Sequence, residues 1–253
     1  MDKPSKSLLL AEWRWMLELG FSVATLPALL AAKRGDGHPV LVLPGFLASD
    51  RSTEPLRRYL RGLGYDTHGW GLGRSVGGVF ATRDRLRTRL NAIARTAGRR
   101  VSLVGWSLGG IYARELALDD PARVRSVITL GTPFAGDLSA TNAHALYEFL
   151  TGESPGTLEP AAMARLAGPL AMPATSIYSK TDGIVNWRTS LVEPSPRAEN
   201  VEVLGSHLGL GVNPAVLWAI ADRLAQPEGT FVPFAGGGPF AFAYPRTPLA
   251  RAS

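Results

Sequence analysis

The stretch from Val101 to Gly110, VSLVGWSLGG, constrains this chain more than any other. Val101, Ser102, Leu103 and Val104 form a short apolar-rich run of the kind buried in a sheet, and Ile111 to Leu118 suits a helix. Between them, Gly105-Trp106-Ser107-Leu108-Gly109 has to reverse the chain within a few residues. A serine at the tip of such a turn sits in a strained backbone, so the positions two before and two after it must be small. Glycine holds both. The hydroxyl then projects from the carboxyl end of the strand, above the positive end of the next helix, where negative charge would develop during acyl transfer. Alone, the pattern also fits a plain glycine-rich turn, so its weight depends on the rest of the chain.

The 253 residues are 45% hydrophobic and 19% charged, which suits one α/β domain with a real core. The absence of cysteine excludes disulfide scaffolds, thiol nucleophiles and thiolate metal sites. The net charge of +6 is scattered as arginine over helix candidates, without the stacking aromatics or module of a nucleic-acid binder, so no nucleic-acid partner is expected. A mild attraction to anionic surfaces stays open. Lys3 and Lys6 precede an apolar stretch, but Glu12, Arg14 and Glu18 interrupt it and no small-residue cleavage site follows. The uncharged run from Leu19 to Ala32 is short for a span and contains Pro27. The expected location is cytoplasmic, with contact at the periphery of a membrane left open.

Residues 1–36 read as a helical extension. Ser7, Arg14, Glu18, Ser22 and Thr25 share one narrow stripe at a period near 3.6, and Leu8, Leu9, Leu10, Trp13, Trp15, Met16, Leu17 and Phe21 fill the rest. A helix this apolar needs a cover. The domain itself, a second subunit through self-association, and the boundary of a bilayer are the three candidates, with protein favoured because the polar stripe lacks a cationic cluster.

Residues 37–226 read as the main domain, and 227–253 as a proline-, glycine- and aromatic-rich tail, either disordered or strapped over an apolar surface. Strand candidates are Gly37 to Gly45 (PVLVLPG), Tyr65 to Trp70, Val101 to Val104, Val124 to Leu130, Ala174 to Tyr178 and Val201 to Leu204. Helices are expected at Thr53 to Arg61, with Thr53 a candidate cap, at Val79 to Ala97, after the serine, and at Pro214 to Ala225. The glycine loop Gly71 to Gly78 lacks a phosphate-binding pattern and reads as a loop at the sheet edge. Residues 135–173 hold an excursion long enough for a cap, with helical pieces at Thr141 to Leu150 and Ala161 to Leu166. The expected fold is α/β, a mainly parallel sheet of about six strands flanked by helices.

Ser107, Asp182 and His207 each lie just beyond a strand candidate, and in a parallel sheet those ends meet at one edge. His207 would accept the Ser107 proton, with Asp182 orienting the imidazole and stabilising its cation. Singly, His207 also fits a structural loop histidine, and Asp182 a turn former. Asp137, beyond the strand ending at Leu130, is the second candidate acid. His38 belongs on the opposite edge, His68 in or at the end of a strand and His144 in the cap. Backbone donors for an oxyanion are expected at Leu108 and Phe46. Candidate pocket residues are Trp106, Phe134, Leu138, Leu146, Trp187 and Arg74. Neither metal nor cofactor is implied.

Through PVLVLPGF, GWSLGG, LGTPFAGD, YSKTDGIVNW and VLGSHLGLG, from about His38 to Ala225, the chain resembles the α/β-hydrolase superfamily, in particular small bacterial serine lipases and esterases. The resemblance implies hydrolysis of an acyl ester or lipid on Ser107, Asp182 and His207 without a cofactor. Acyl transfer, thioester cleavage and a noncatalytic scaffold of the same fold are the alternatives. Pro44 stands where many relatives carry a histidine, and both termini lie outside the likeness.

Overall fold

A computed structural model describes residues 3–76, 79–135 and 160–245. Its centre is a six-stranded, wholly parallel sheet built from β1 (Pro39–Leu43), β2 (Asp66–Gly69), β3 (Val101–Trp106), β4 (Val124–Leu130), β5 (Ala174–Tyr178) and β6 (Ala198–Glu202), in the order β2-β1-β3-β4-β5-β6. The chain runs outward from β1 to β2, then returns to lay β3 on the other side of β1. That reversal opens a crevice at the carboxyl ends of β1 and β3, the place where open α/β sheets bind ligands.

Alternation along the strands divides the core in two. Val40, Val42, Val104, Ile128 and Ile177 pack on one face, against α4 (Asp50–Gly62) and the last helix (Pro214–Leu224). Leu41, Leu43, Leu103 and Val127 pack on the other, against α5 (Val79–Ala97) and α6 (Leu108–Asp119). Both faces are covered, which is why these strands read as continuous apolar runs. Helix α4 starts before Thr53: Ser49 is the cap, its hydroxyl accepting from the Arg51 N–H, and Thr53 lies buried inside the helix. The final strand ends at Glu202, earlier than VEVL suggests, because Ala198 to Glu202 is the stretch in register with Ala174 to Tyr178.

The termini differ most from expectation. The extension is broken into α1 (Lys6–Leu10), a 3-10 turn (Ala11–Arg14), α2 (Trp15–Ala24) and α3 (Leu26–Leu30). It lies on the domain through Glu12 and Ser22 in its first part and through Leu29 and Ala32 at its end, all buried, while Leu10, Trp13, Met16, Leu17 and Val23 are exposed. Periodicity reports two faces, and from Glu12 to Ser22 the polar one is inside. Residues 227–245 run as a strap that buries Phe240 and Tyr244 against the last helix, where the Tyr244 hydroxyl donates to the Ala215 carbonyl at 2.7 Å. No helix among the described residues is long and apolar enough to cross a membrane. Of residues 135–173, the stretch expected to form a cap, the helix α7 (Pro160–Ala167) is described, held by Arg114 donating to the Leu166 and Gly168 carbonyls. The last helix (Pro214–Leu224) is α8.

Candidate active site

Strand β3 ends at Trp106 and α6 begins at Leu108, so Ser107 alone makes the turn. Its φ is +53° and ψ −122°. Holding a non-glycine residue there costs about 1–3 kcal/mol, which the surroundings must impose. Among the described residues, the other non-glycine positive φ belongs to Leu47, at +59°, in the loop after β1. Strain is therefore confined to the two loops that border the crevice. Side chains at Gly105 and Gly109 would strike the backbones of Gly109, Gly110 and Leu43, so only glycine lets strand, helix and first loop close up.

The loop after β1 runs directly against the serine: a Cβ on Gly45 would lie 3.3 Å from that of Ser107. Behind this loop, the Ser75 N–H donates to the Ala48 carbonyl at 2.8 Å and the Leu47 N–H to the Ser75 carbonyl at 2.6 Å. The glycine-rich stretch from Gly71 thus braces the loop carrying Phe46, whereas Arg74 itself is exposed. Leu108 opens α6, and the first N–H groups of a helix have no partner within it.

Asp182 and His207 meet beside the turn. Asp182 Oδ2 lies 2.7 Å from His207 Nδ1, with both side chains almost wholly buried. The other oxygen, Oδ1, accepts the N–H groups of Ile184 and Val185 at 2.8 and 2.7 Å, which aims the carboxylate. A carboxylate on Nδ1 keeps the proton there and leaves Nε2 as the basic nitrogen of neutral imidazole. A Cβ on Gly131 would lie 3.1 Å from both His207 Nδ1 and Asp182 Oδ2, which locates the pair at the end of β4, and the Ser107 N–H donates to the Leu130 carbonyl at 2.8 Å on that same strand. The Trp106 indole donates to the His207 carbonyl at 3.1 Å, so the residue before the serine also fixes the histidine loop. The hydroxyl of Ser107 makes no hydrogen bond among the described residues; contacts of this kind commonly tighten only with substrate bound.

Two carboxylates from the N-terminal extension complete the surroundings, and sequence inspection missed both. Glu12 Oε1 accepts the N–H of Gly183 at 2.7 Å and of His207 at 3.0 Å, while Oε2 accepts that of Leu208 at 2.9 Å. One side chain thus joins the acid loop to the base loop. Glu18 accepts from the Ser206 N–H and hydroxyl at 2.8 and 2.7 Å and from the Asn213 amide at 2.8 Å. Burial by itself would pull the His207 pKa down, but the charges of Asp182 and Glu12 outweigh it and hold the imidazole above its ordinary 6.5. The available signal was two isolated acids in an apolar extension, which a solvated stripe explains equally well.

Other candidates are not brought here. Phe134 is fully buried with Ile111, Leu166 and Val192, beneath the Arg114 guanidinium, 4.2 Å from the ring centroid; it is core, because the chain after β4 turns inward. Trp187 stacks on Tyr178 with centroids 5.6 Å apart, and Lys180 and Arg188 lie over its rings, so its contacts are structural. His68 pairs with Asp66 on edge strand β2 at 2.9 Å. Leu138, Leu146, Asp137 and His144 fall outside the described residues. His38 lies fully buried at the amino end of β1, where Nδ1 meets Asp36 at 2.5 Å and Nε2 meets the Ser102 hydroxyl at 2.9 Å, and Asp36 also pairs with Arg125 at 2.9 Å. Among the described residues no group of three or more histidine, aspartate or glutamate side chains is arranged to hold a metal ion.

Comparison with known proteins agrees with this architecture. Residues 38–168 match the family described as the alpha/beta hydrolase fold. The chain belongs to that family. A curated relative, the putative carbamate hydrolase RutD of Variovorax paradoxus (strain S110), is 34% identical over 117 residues, 43% of this chain and 41% of the relative. The lipase B structure of Aspergillus fumigatus superposes with a TM-score of 0.60 at 18% identity, over 78% of this chain and 53% of that one. Lipase BlEst2 of Bacillus licheniformis in its mature form gives 0.58 at 18% identity, over 78% and 94%. The chain therefore spans about half or less of the first two proteins, and the two structures share its hydrolase fold.

Proposed function

We propose that the protein is a serine hydrolase that cleaves carboxylic esters through an acyl-enzyme on Ser107. The observation that carries this is the buried Asp182–His207 pair, 2.7 Å apart, beside a serine held at φ +53°. Ser107 Oγ attacks the ester carbonyl carbon as His207 Nε2 takes its proton, and the C=O π electrons move onto oxygen. In this reading the N–H groups of Leu108 and Phe46 are the donors to that oxyanion. Collapse restores the carbonyl, breaks the bond to the alcohol and gives the alkoxide the proton from His207. Water, deprotonated by the same nitrogen, then releases the acid and restores the serine. Asp182 stays ionised throughout and stabilises the imidazolium.

Support comes from the elbow geometry, the acid–base pair and the hydrolase family. The partial match to a putative carbamate hydrolase favours a second substrate class, since carbamates yield to the same attack at carbon. Purified protein is expected to release p-nitrophenol from acyl esters and to label on Ser107 with a fluorophosphonate. Parallel assays on p-nitrophenyl esters and carbamates separate the two classes. Turnover persisting in Ser107→Ala removes both.

A further inference from the structure

From Glu12 to Ser22 the N-terminal extension lies inside out, before Leu29 and Ala32 return to the core. Its two acids among residues 3–34, Glu12 and Glu18, both turn inward to the loops around His207, and Arg14 donates to the Thr181 carbonyl at 3.0 Å. Ser22 is buried with its hydroxyl on the Val212 carbonyl, and the Thr25 hydroxyl bonds back to Phe21 at 2.7 Å. What remains outside is apolar: Leu10 is 78% exposed, Val23 66%, Leu17 60% and Trp13 55%. Phe21 continues this strip onto the C-terminal strap through ring contacts of 6.4 and 6.5 Å with Phe240 and Phe242. Between them runs an apolar groove of about 250 Å³, lined in part by Leu17, Leu204 and Phe242.

Within residues 3–34 the charges that flank the strip are cationic, and Asp36 beyond them is taken up by Arg99 and Arg125. Lys3 and Lys6 are exposed at its start, and Lys33 and Arg34 at its end, where Lys33 pairs with Asp222 at 3.0 Å and Arg34 donates to the Gly62 carbonyl at 3.0 Å. We propose that the outward face of residues 8–30 is a docking surface for an anionic lipid membrane. The strip outside offers only tryptophan N–H groups for hydrogen bonding, whereas a protein interface carries about one hydrogen bond per 100–200 Å². A bilayer asks for none in its acyl region and favours tryptophan at its boundary, and its anionic headgroups meet the lysines. A second copy fits poorly, because pairing the strips in either direction sets cation against cation. Since Glu12 and Glu18 tie this platform to the loops of Asp182 and His207, a docked molecule holds its crevice at a fixed attitude to the lipid.

The test is flotation of the full chain with phosphatidylcholine vesicles, with and without about a third phosphatidylglycerol. Binding should require the anionic lipid and fall as salt is raised. Leu10→Glu/Leu17→Glu, at exposed sites, should abolish flotation while retaining the parent melting temperature, and Lys3→Glu/Lys6→Glu should weaken it several-fold. Ser107→Ala should float like the parent, so this result stands or falls apart from the proposed reaction. No flotation, equal flotation with neutral vesicles, or an unaltered Leu10→Glu/Leu17→Glu variant overturns the proposal. A sedimenting dimer that dissociates in that variant, without flotation, assigns the face to a second copy instead.

Discussion

Two groups of serine, histidine and aspartate lie at opposite edges of one sheet, and the contrast between them shows what sets the proposed site apart from a buried look-alike. At the amino edge, Ser102, His38 and Asp36 are linked by contacts of 2.9 and 2.5 Å. Yet Ser102 is a fully buried strand residue whose hydroxyl also meets that of Ser126, so no substrate reaches it. At the carboxyl edge, Ser107 is half-buried, lifted out of the strand by its strained turn and faced by two loops. The charges are also opposed. Burial first, and then Arg125 and Arg99 against the help of Asp36, leave His38 below its ordinary pKa, whereas Asp182 and Glu12 raise His207 against burial. Matching residue types, even within hydrogen-bond distance, therefore do not make a catalytic site. Exposure, backbone strain and the sign of the surrounding charge separate the two.

The largest expected effect tests this directly. Ser107→Ala should lower kcat by about 10⁵-fold or more on a p-nitrophenyl ester, while Ser102→Ala should keep kcat within about twofold. Asp182→Asn should cost about 10⁴-fold, by losing the charge and admitting the wrong tautomer, whereas Asp36→Asn should leave kcat nearly intact and lower stability in urea by about 1–2 kcal/mol. If Asp36→Asn were the more damaging to turnover, the two edges would exchange roles.

Glu12→Gln probes the link between the extension and the site. It keeps the shape of the side chain but removes a charge that accepts three backbone N–H groups, so it should cost about 2 kcal/mol of stability. The removed charge favours the imidazolium, so the acid limb of kcat/KM, which requires neutral His207 and lies above pH 6.5 in the parent, should move to lower pH. A merely structural glutamate would leave that limb in place. The smallest signal is the titration of the two imidazoles by NMR, with His→Gln variants for assignment. His207 should titrate above 6.5 and His38 below it. By linkage, the His207 contribution to stability is complete below pH 6.5 and lost as pH rises through its folded pKa. The His38 contribution has the opposite sign, being present above 6.5 and lost as pH falls through its folded pKa.

Legibility followed range along the chain. The turn at Ser107 was readable because the strain, the two glycines and the following helix all lie within ten residues. Asp182 and His207 were readable as candidates because parallel strands send their ends to one edge, and the structure joins them at 2.7 Å. Pocket residues were not. Phe134 follows a strand as a pocket residue would, but whether an aromatic ring lines a crevice or fills the core depends on what packs above it, here Arg114 and α7.

By itself, the sequence determined the alternation of strand and helix, the tight serine turn and the existence of a two-faced N-terminal extension, since propensity, glycine spacing and periodicity are local. Only the tertiary structure decided which face of that extension lies inside. The loops around Asp182 and His207 present backbone N–H groups that must be satisfied once buried, and Glu12 and Glu18 satisfy them, which turns the leucines and tryptophans outward. That choice depends on partners about 170 to 195 residues away, which no pattern within the extension can register.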